Sequence, residues 1–308
     1  MKLIIKAIGS IFALMSMVGA ALLSIGGIAN AAKPEPWAIW HQEAGSAEMR
    51  WIEWFDLYTL WFIVPIVIFV LILLIYVVVK FRAKANPNPS KTSHHTPIEI
   101  IWTLGPVLIL VALAIPSFQL LTHQLTPPAN PDLTVKAVGY QWYWGYEYQD
   151  ESELSYESVL IGREKYSDPD AAKEERAEYG KEDEEKYPYL LAVDNELVVP
   201  VNKTIRVLVT AADVIHDFAL PAFGLKIDAV PGRTNETWFR AEKEGLYYGQ
   251  CSELCGKDHA FMPIAIRVVS EEQFAEWQKA AAEDVGEANK ALMVSIDTTT
   301  KTIQTAGN

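Results

Sequence analysis

The chain has 308 residues and a formal net charge of -13, and half of its residues are hydrophobic. Acidity of this size argues against a nucleic-acid partner, because a polyanion would be repelled. The apolar residues crowd into the first 125 positions and the acidic excess lies after residue 132. That asymmetry excludes an evenly patterned soluble globule and points to a membrane part followed by a soluble part.

Residues 1–31 read as a secretory signal peptide. Lys2 and Lys6 supply the positive start, an apolar run follows, and Ala29-Asn30-Ala31 has the form of a cleavage site. A short segment, 32–56, leads to the first apolar run, 57–79, which carries no charge. As a helix rising 1.5 Å per residue it reaches roughly 34 Å, enough to cross a bilayer core. The connection 80–97 holds Lys80, Arg82, Lys84 and Lys91, with no acid before position 96, so the positive-inside rule places it in the cytoplasm. A second span, 98–122, returns the chain to the outer side. Glu99 stands at the cytoplasmic start of this span, where a carboxylate is favoured by the helix dipole.

From residue 132 the chain reads as short strands separated by Pro, Gly, Asn and Asp. They are LTVKAVGYQWYWGYEY, ELVVPVN, TIRVLVT, HDFALPAF, LKIDAV, ETWFRAE, LYYGQ and PIAIRVV. This spacing predicts an all-β sandwich over 132–286 carried by a two-helix membrane hairpin. Ser270 and Gln273 have capping-box spacing, which predicts a closing helix with Phe274, Trp277 and Ala281 on one face. Residues 287–308 read as a polar, loosely ordered tail. Residues 150–187 are dense in Asp, Glu and Lys and read as an acidic insertion, a solvated surface loop with some helix.

Both cysteines fall in GQCSELCGKDHAFMPI, residues 249–264. Three readings compete. A Cys251–Cys255 disulfide suits an exported domain but leaves His259 and Met262 unexplained. Zinc would use the cysteines and His259, yet Met is a poor zinc ligand. Copper takes two His, a Cys and a weak axial Met in one type of sandwich site, with one His on an earlier strand. His216, in VIHDF, occupies that place. One copper needs one thiolate, so the second cysteine implies two coppers bridged by two sulfurs. Met262 would then be one weak ligand and the backbone carbonyl of Glu253 the other.

With these residues in view, the chain closely resembles bacterial cytochrome c oxidase subunit II from about residue 50 to 280. GQCSELCGKDHAFMPI, DVIHDFALPAFGLKIDAVPGR and GYQWYWGYEY carry the resemblance. It implies a cupredoxin-like domain with a dinuclear copper centre, CuA, held by His216, Cys251, the Glu253 carbonyl, Cys255, His259 and Met262. It also implies that the Glu253 side chain reaches a magnesium ion shared with subunit I. Trp142, the first Trp of QWYW, becomes the point where electrons enter from cytochrome c. Glu99 becomes the mouth of a proton path, and Glu147, Asp194 and Asp213 become docking acids for cytochrome c. Two departures stand out: Tyr140 replaces the His common in mitochondrial relatives, and the 150–187 insertion is longer.

The function so implied is electron acceptance from cytochrome c and delivery to subunit I, which reduces oxygen and pumps protons. The expected partners are subunits I and III and cytochrome c. The expected location is the bacterial inner membrane, multi-pass, with the C-terminal domain in the periplasm. A quinol oxidase subunit II would lack the copper residues that are intact here. A membrane-anchored copper-binding or copper-delivery protein is the other alternative, but it leaves the hairpin, Glu99 and QWYW without a purpose.

Overall fold

Two long helices precede a sandwich of two five-stranded sheets. The computed structural model describes residues 32–150 and 153–306, so the signal-peptide segment lies outside the described residues. Helix α1 is Ala47–Lys80 and helix α2 is Thr96–Leu125. Each contains a predicted span and continues beyond it. The run 57–79 is extended upstream by Ala47–Asp56, about three more turns. These turns pack on the outer domain, which is why they carry polar residues. The Ser46 hydroxyl accepts from Met49 N–H at 3.0 Å and donates to Phe223 O at 3.0 Å, so one side chain caps the helix and ties it to the sandwich. Arg50 adds a bidentate pair with Glu242. Further along, side chains such as Val64, Phe69 and Leu74 are exposed on the helix surface, as a lipid-facing helix requires.

Strands β1 (Leu133–Tyr140), β2 (Tyr143–Tyr148), β3 (Ser155–Ser158), β5 (Ile205–Ala211) and β8 (Asn235–Phe239) form one sheet in the order β3-β2-β1-β5-β8. Strands β4 (Leu197–Pro200), β6 (His216–Leu220), β7 (Leu225–Ala229), β9 (Gly245–Cys251) and β10 (Pro263–Val269) form the other, β4-β10-β9-β6-β7. The apolar run 133–148 is a hairpin, with Tyr140 opposite Tyr143 and Gln141 and Trp142 at its tip. Strand β5 alternates buried and half-buried residues, the period-2 pattern of a sheet with one covered face. Its Val207 and Val209 meet Leu197, Phe218 and Ile264 of the other sheet in one core.

Strand β10 is buried at all seven positions, because both of its faces are covered. The second cover corrects the reading of 150–187 as a solvated loop. This segment holds β3 and a helix α3 (Pro169–Glu178), and its Ile161 and Tyr187 join Leu191 and Val193, just after it, in a second apolar core packed on Leu246, Tyr248 and Ala265. Lys181, only 1% exposed, donates to Val193 O at 2.7 Å and Asp194 O at 2.8 Å, and pairs with Glu196 at 2.8 Å. Arg267 of β10 holds the same carboxylate at 3.0 Å. A buried lysine needs such partners, and here the 193–196 segment just before β4 supplies them, while Arg267 reaches the same carboxylate from β10.

The expected closing helix forms as α4 (Glu271–Ala281), with both capping-box hydrogen bonds of Ser270 and Gln273 in place. The loosely ordered tail is corrected: Val285–Ala306 is a helix, α5. Val285, Ala288, Leu292 and Ile296 recur at helical spacing and pack on the core, while Trp277 Nε1–H donates to Asn289 Oδ1 at 2.8 Å. Glu287, Lys290 and Asp297 are exposed on that helix.

Candidate metal centre

The sheet pairing brings the candidate ligands together. In the antiparallel β6–β9 pair, Phe218 lies opposite Cys251, so the two share a face. His216, two residues from Phe218 on β6, shares it too. The Cys251 and Cys255 thiols are free and buried, with sulfurs 3.9 Å apart. That separation is nearly twice a disulfide bond length. His216 Nδ1 is 3.9 Å from Cys251 Sγ, and the Glu253 carbonyl is 3.3 Å from the same sulfur. His259 Nδ1 is 3.6 Å from Cys255 Sγ, and Met262 Sδ is 3.5 Å from it. Each sulfur therefore has one imidazole and one weak donor. The ligand atoms of His216, Cys251 and Cys255 all lie within 4.8 Å of one another.

This donor set fits copper. It is soft, largely shielded from water, and split evenly between two thiols. Burial pushes both thiols up. At Cys251, hydrogen bonding with His216, the Asp217 and Glu253 backbone and His259 overcomes burial and brings the thiol down to about 7. At Cys255 the neighbouring Cys251 adds to burial and pushes the thiol up to about 12. The first proton therefore leaves readily, and the second needs a cation to displace it.

A second tier of contacts aims these ligands. His216, fully buried, has its Nε2 2.8 Å from Asp213 Oδ1, which leaves Nδ1 directed at Cys251. Asp213 also accepts from Gln141 N–H at 2.7 Å, and Gln141 Nε2–H donates to Cys255 O at 2.8 Å. The β1–β2 tip is thereby fastened both to Asp213, which orients His216, and to the loop that carries Cys255. Trp142 shares that tip. Gly256, at φ +131°, approaches so closely that an added Cβ would lie 2.9 Å from the Trp142 ring. The orienting contact made by Asp213, three residues before His216, and the bridging role of Gln141 were not foreseen from spacing.

The remaining expected residues lie elsewhere. Glu99 is in the first turn of α2, and its carboxylate accepts His95 N–H at 2.9 Å. Glu147 is paired with Lys136 at 3.1 Å. Asp194 is half-buried and accepts from Val159 N–H and Asn195 N–H at 2.7 and 2.6 Å. Glu253 presents its carbonyl to Cys251 and is exposed.

Comparison with known proteins follows the same outline. The family model described as the cytochrome c oxidase subunit II periplasmic domain matches residues 133–269, and the one for its transmembrane domain matches residues 34–120. A crystal structure of the periplasmic domain of cytochrome oxidase subunit II from Bradyrhizobium japonicum is 54% identical, covering 52% of this chain and 99% of its own, with a TM-score of 0.43. A probable cytochrome c oxidase subunit 2 of Rickettsia felis is 47% identical over 263 residues, 85% of this chain and 78% of the relative. Cytochrome c oxidase subunit 2 of Cereibacter sphaeroides is 46% identical over 266 residues, 84% of this chain and 86% of the relative. The chain belongs to the cytochrome c oxidase subunit II family and is a membrane-spanning part of that oxidoreductase complex.

Proposed function

We propose that the outer domain receives single electrons from reduced cytochrome c and passes them to the haem-copper subunit I of the oxidase. The observation that carries this reading is the paired donor set: two free thiols 3.9 Å apart, each with its own imidazole and its own weak donor. His216, Cys251, the Glu253 carbonyl, Cys255, His259 and Met262 would hold two copper ions. When bound, that pair supplies one-electron storage with little rearrangement of its surroundings. The chain's own residues make the site rigid and dry: His216, Cys251, Cys255 and Met262 are buried, and Asp213 and Gln141 fix the ring and the loop.

Trp142 is the proposed acceptor surface for the donor, because its ring lies against Gly256, the neighbour of Cys255. Glu147, Asp194 and Asp213 are the proposed docking acids, with the field reinforced by exposed Glu174, Glu178 and Glu182 of the insertion. The exposed Glu253 carboxylate suits one ligand of a magnesium ion shared with subunit I. Glu99, on the cytoplasmic side, is assigned to a proton path into subunit I. Subunit III is a further proposed neighbour. The assembly lies in the bacterial inner membrane, with the N-terminal 31 residues removed on export and the sandwich in the periplasm.

The test is metal analysis with absorption and electron paramagnetic resonance spectra of the copper-loaded chain. Two coppers per chain sharing one delocalised electron are expected. One copper per folded chain overturns the assignment.

A further inference from the structure

Arg163 of the insertion reaches the metal loop. Arg163 follows Ile161, which is buried in the second core and whose N–H donates to Ala192 O at 3.0 Å. Gly162 N–H donates to Glu175 Oε2 at 2.7 Å, and the Tyr189 hydroxyl donates to Arg163 O at 3.4 Å, so the backbone around Arg163 is held within the lobe. From that base Arg163 Nη2–H donates to Asp258 Oδ1 at 2.9 Å. The same guanidinium lies 4.7 Å from the centre of the Phe261 ring. Asp258 caps and Phe261 ends the one-turn 3-10 helix that carries His259, and Phe261 N–H donates to Asp258 O at 2.8 Å.

His259 is the least protected side chain of the donor set: the other four are buried, whereas it is half-buried on a one-turn element. Just before the turn, Lys257 Nζ lies 5.7 Å from the Trp142 ring centre at the β1–β2 tip. Without Arg163, the outer side of the turn would lose both an ion pair and a stacked cation.

We propose that Arg163 is a positioning residue of the copper centre, and that one role of the acidic insertion is to close over the 258–261 turn and hold His259 on its metal. The proposal rests on the copper-ligand reading above. An exposed ion pair on its own contributes little. Here the same guanidinium also stacks on an aromatic ring, and both partners flank one ligand, so the effect falls on the retention of metal more than on the stability of the fold.

The experiment compares the copper-loaded full chain in detergent with Arg163→Ala, Arg163→Lys and Phe261→Leu. Copper release to an excess of chelator and the copper absorption spectrum are followed, and the thermal midpoint of each metal-free protein is measured separately. Arg163→Ala releases copper about fivefold to thirtyfold faster, from the loss of one ion pair and one cation–π contact. Its metal-free midpoint stays at the wild-type value. Arg163→Lys lies between the two, since it keeps the charge and loses the flat stack. Raising ionic strength from about 0.05 M to about 0.5 M speeds release from the wild type and not from Arg163→Ala, because salt screens only a pair that is present. If Arg163→Ala lowers the metal-free midpoint as well, Phe261→Leu decides: faster release at an unchanged midpoint supports the clamp, and unchanged release overturns it. Equal release rates in wild type and Arg163→Ala overturn the clamp while leaving the ligand assignment intact. A wild-type chain that takes up no copper overturns the ligand assignment itself.

Discussion

Replacing Glu196 with Gln removes the one anion between two buried cations. Glu196 is 2% exposed, and its Oε1 takes both Lys181 Nζ at 2.8 Å and Arg267 Nη2–H at 3.0 Å. Burial alone would push this carboxyl up, but Arg267 and then Lys181 outweigh burial and hold it at about 2. Holding it there rather than at 4.5 is worth about 3 kcal/mol of stability. The sign follows from the depressed value: the contribution is complete above pH 4.5 and is lost as pH falls from 4.5 towards 2. Glu196→Gln is therefore expected to cost about 3–5 kcal/mol near neutral pH, the range for an uncompensated buried charge. Lys181→Met is expected to cost less, about 1–2 kcal/mol, since Arg267 still holds the Glu196 carboxylate while the Val193 and Asp194 carbonyls and one carboxylate oxygen lose a donor. Burial also keeps Lys181 below the usual lysine range, so its charge is not fully repaid by Glu196. Urea titration of the purified chain in detergent, read by hydrogen exchange of peptides from β4 and β10, measures both variants. A Lys181→Met loss equal to or greater than that of Glu196→Gln would refute the view that the carboxylate is the centre of this network.

Three further outcomes are expected. Gly139→Ala would place a Cβ 2.8 Å from the His216 ring, and the ring must move; copper affinity should fall about tenfold to a hundredfold, as for other disturbed ligand-orienting contacts, measured by competition with a chelator. Trp142→Phe should slow electron transfer from cytochrome c in stopped-flow while leaving the copper spectrum unchanged; loss of the spectrum would make Trp142 a structural residue instead. Oxidation of cytochrome c by the assembled oxidase should slow as salt shortens the screening length below about 10 Å, and a salt-independent rate would remove the docking role of the acidic face.

What could be read from the amino-acid order divides by the range of the contacts involved. The helical hairpin was legible because each span is a local property of one apolar run. The seven strands after residue 190 were legible because β-branched and aromatic residues alternate between turn formers. The candidate metal loop stood out in the sequence because Cys251, Glu253, Cys255, His259 and Met262 lie within twelve residues. The tail was misread for a different reason: Val285, Ala288, Leu292 and Ile296 form a correct helical stripe, but the polar residues between them dominate a reading by composition.

The misread insertion shows where such reading stops. A run such as KEERAEYGKEDEEK looks solvated because isolated charges avoid burial. Whether Lys181 is buried depends on Glu196 and Arg267, and Arg267 stands 86 positions away on β10. Whether Arg163 is a surface charge or a brace depends on Asp258, 95 positions away. Neither pairing leaves a mark on local periodicity, and each needs the β4–β10–β9 sheet to be built first. The same sheet brings His216 of β6 to Cys251 of β9. The second core seats the insertion on that sheet, and the sheet aligns the ligands, so disturbing the Glu196 network should be felt at the metal loop through Arg163. If that coupling holds, Glu196→Gln will speed copper release in the wild-type background and add little to Arg163→Ala, because both changes act through the same contact.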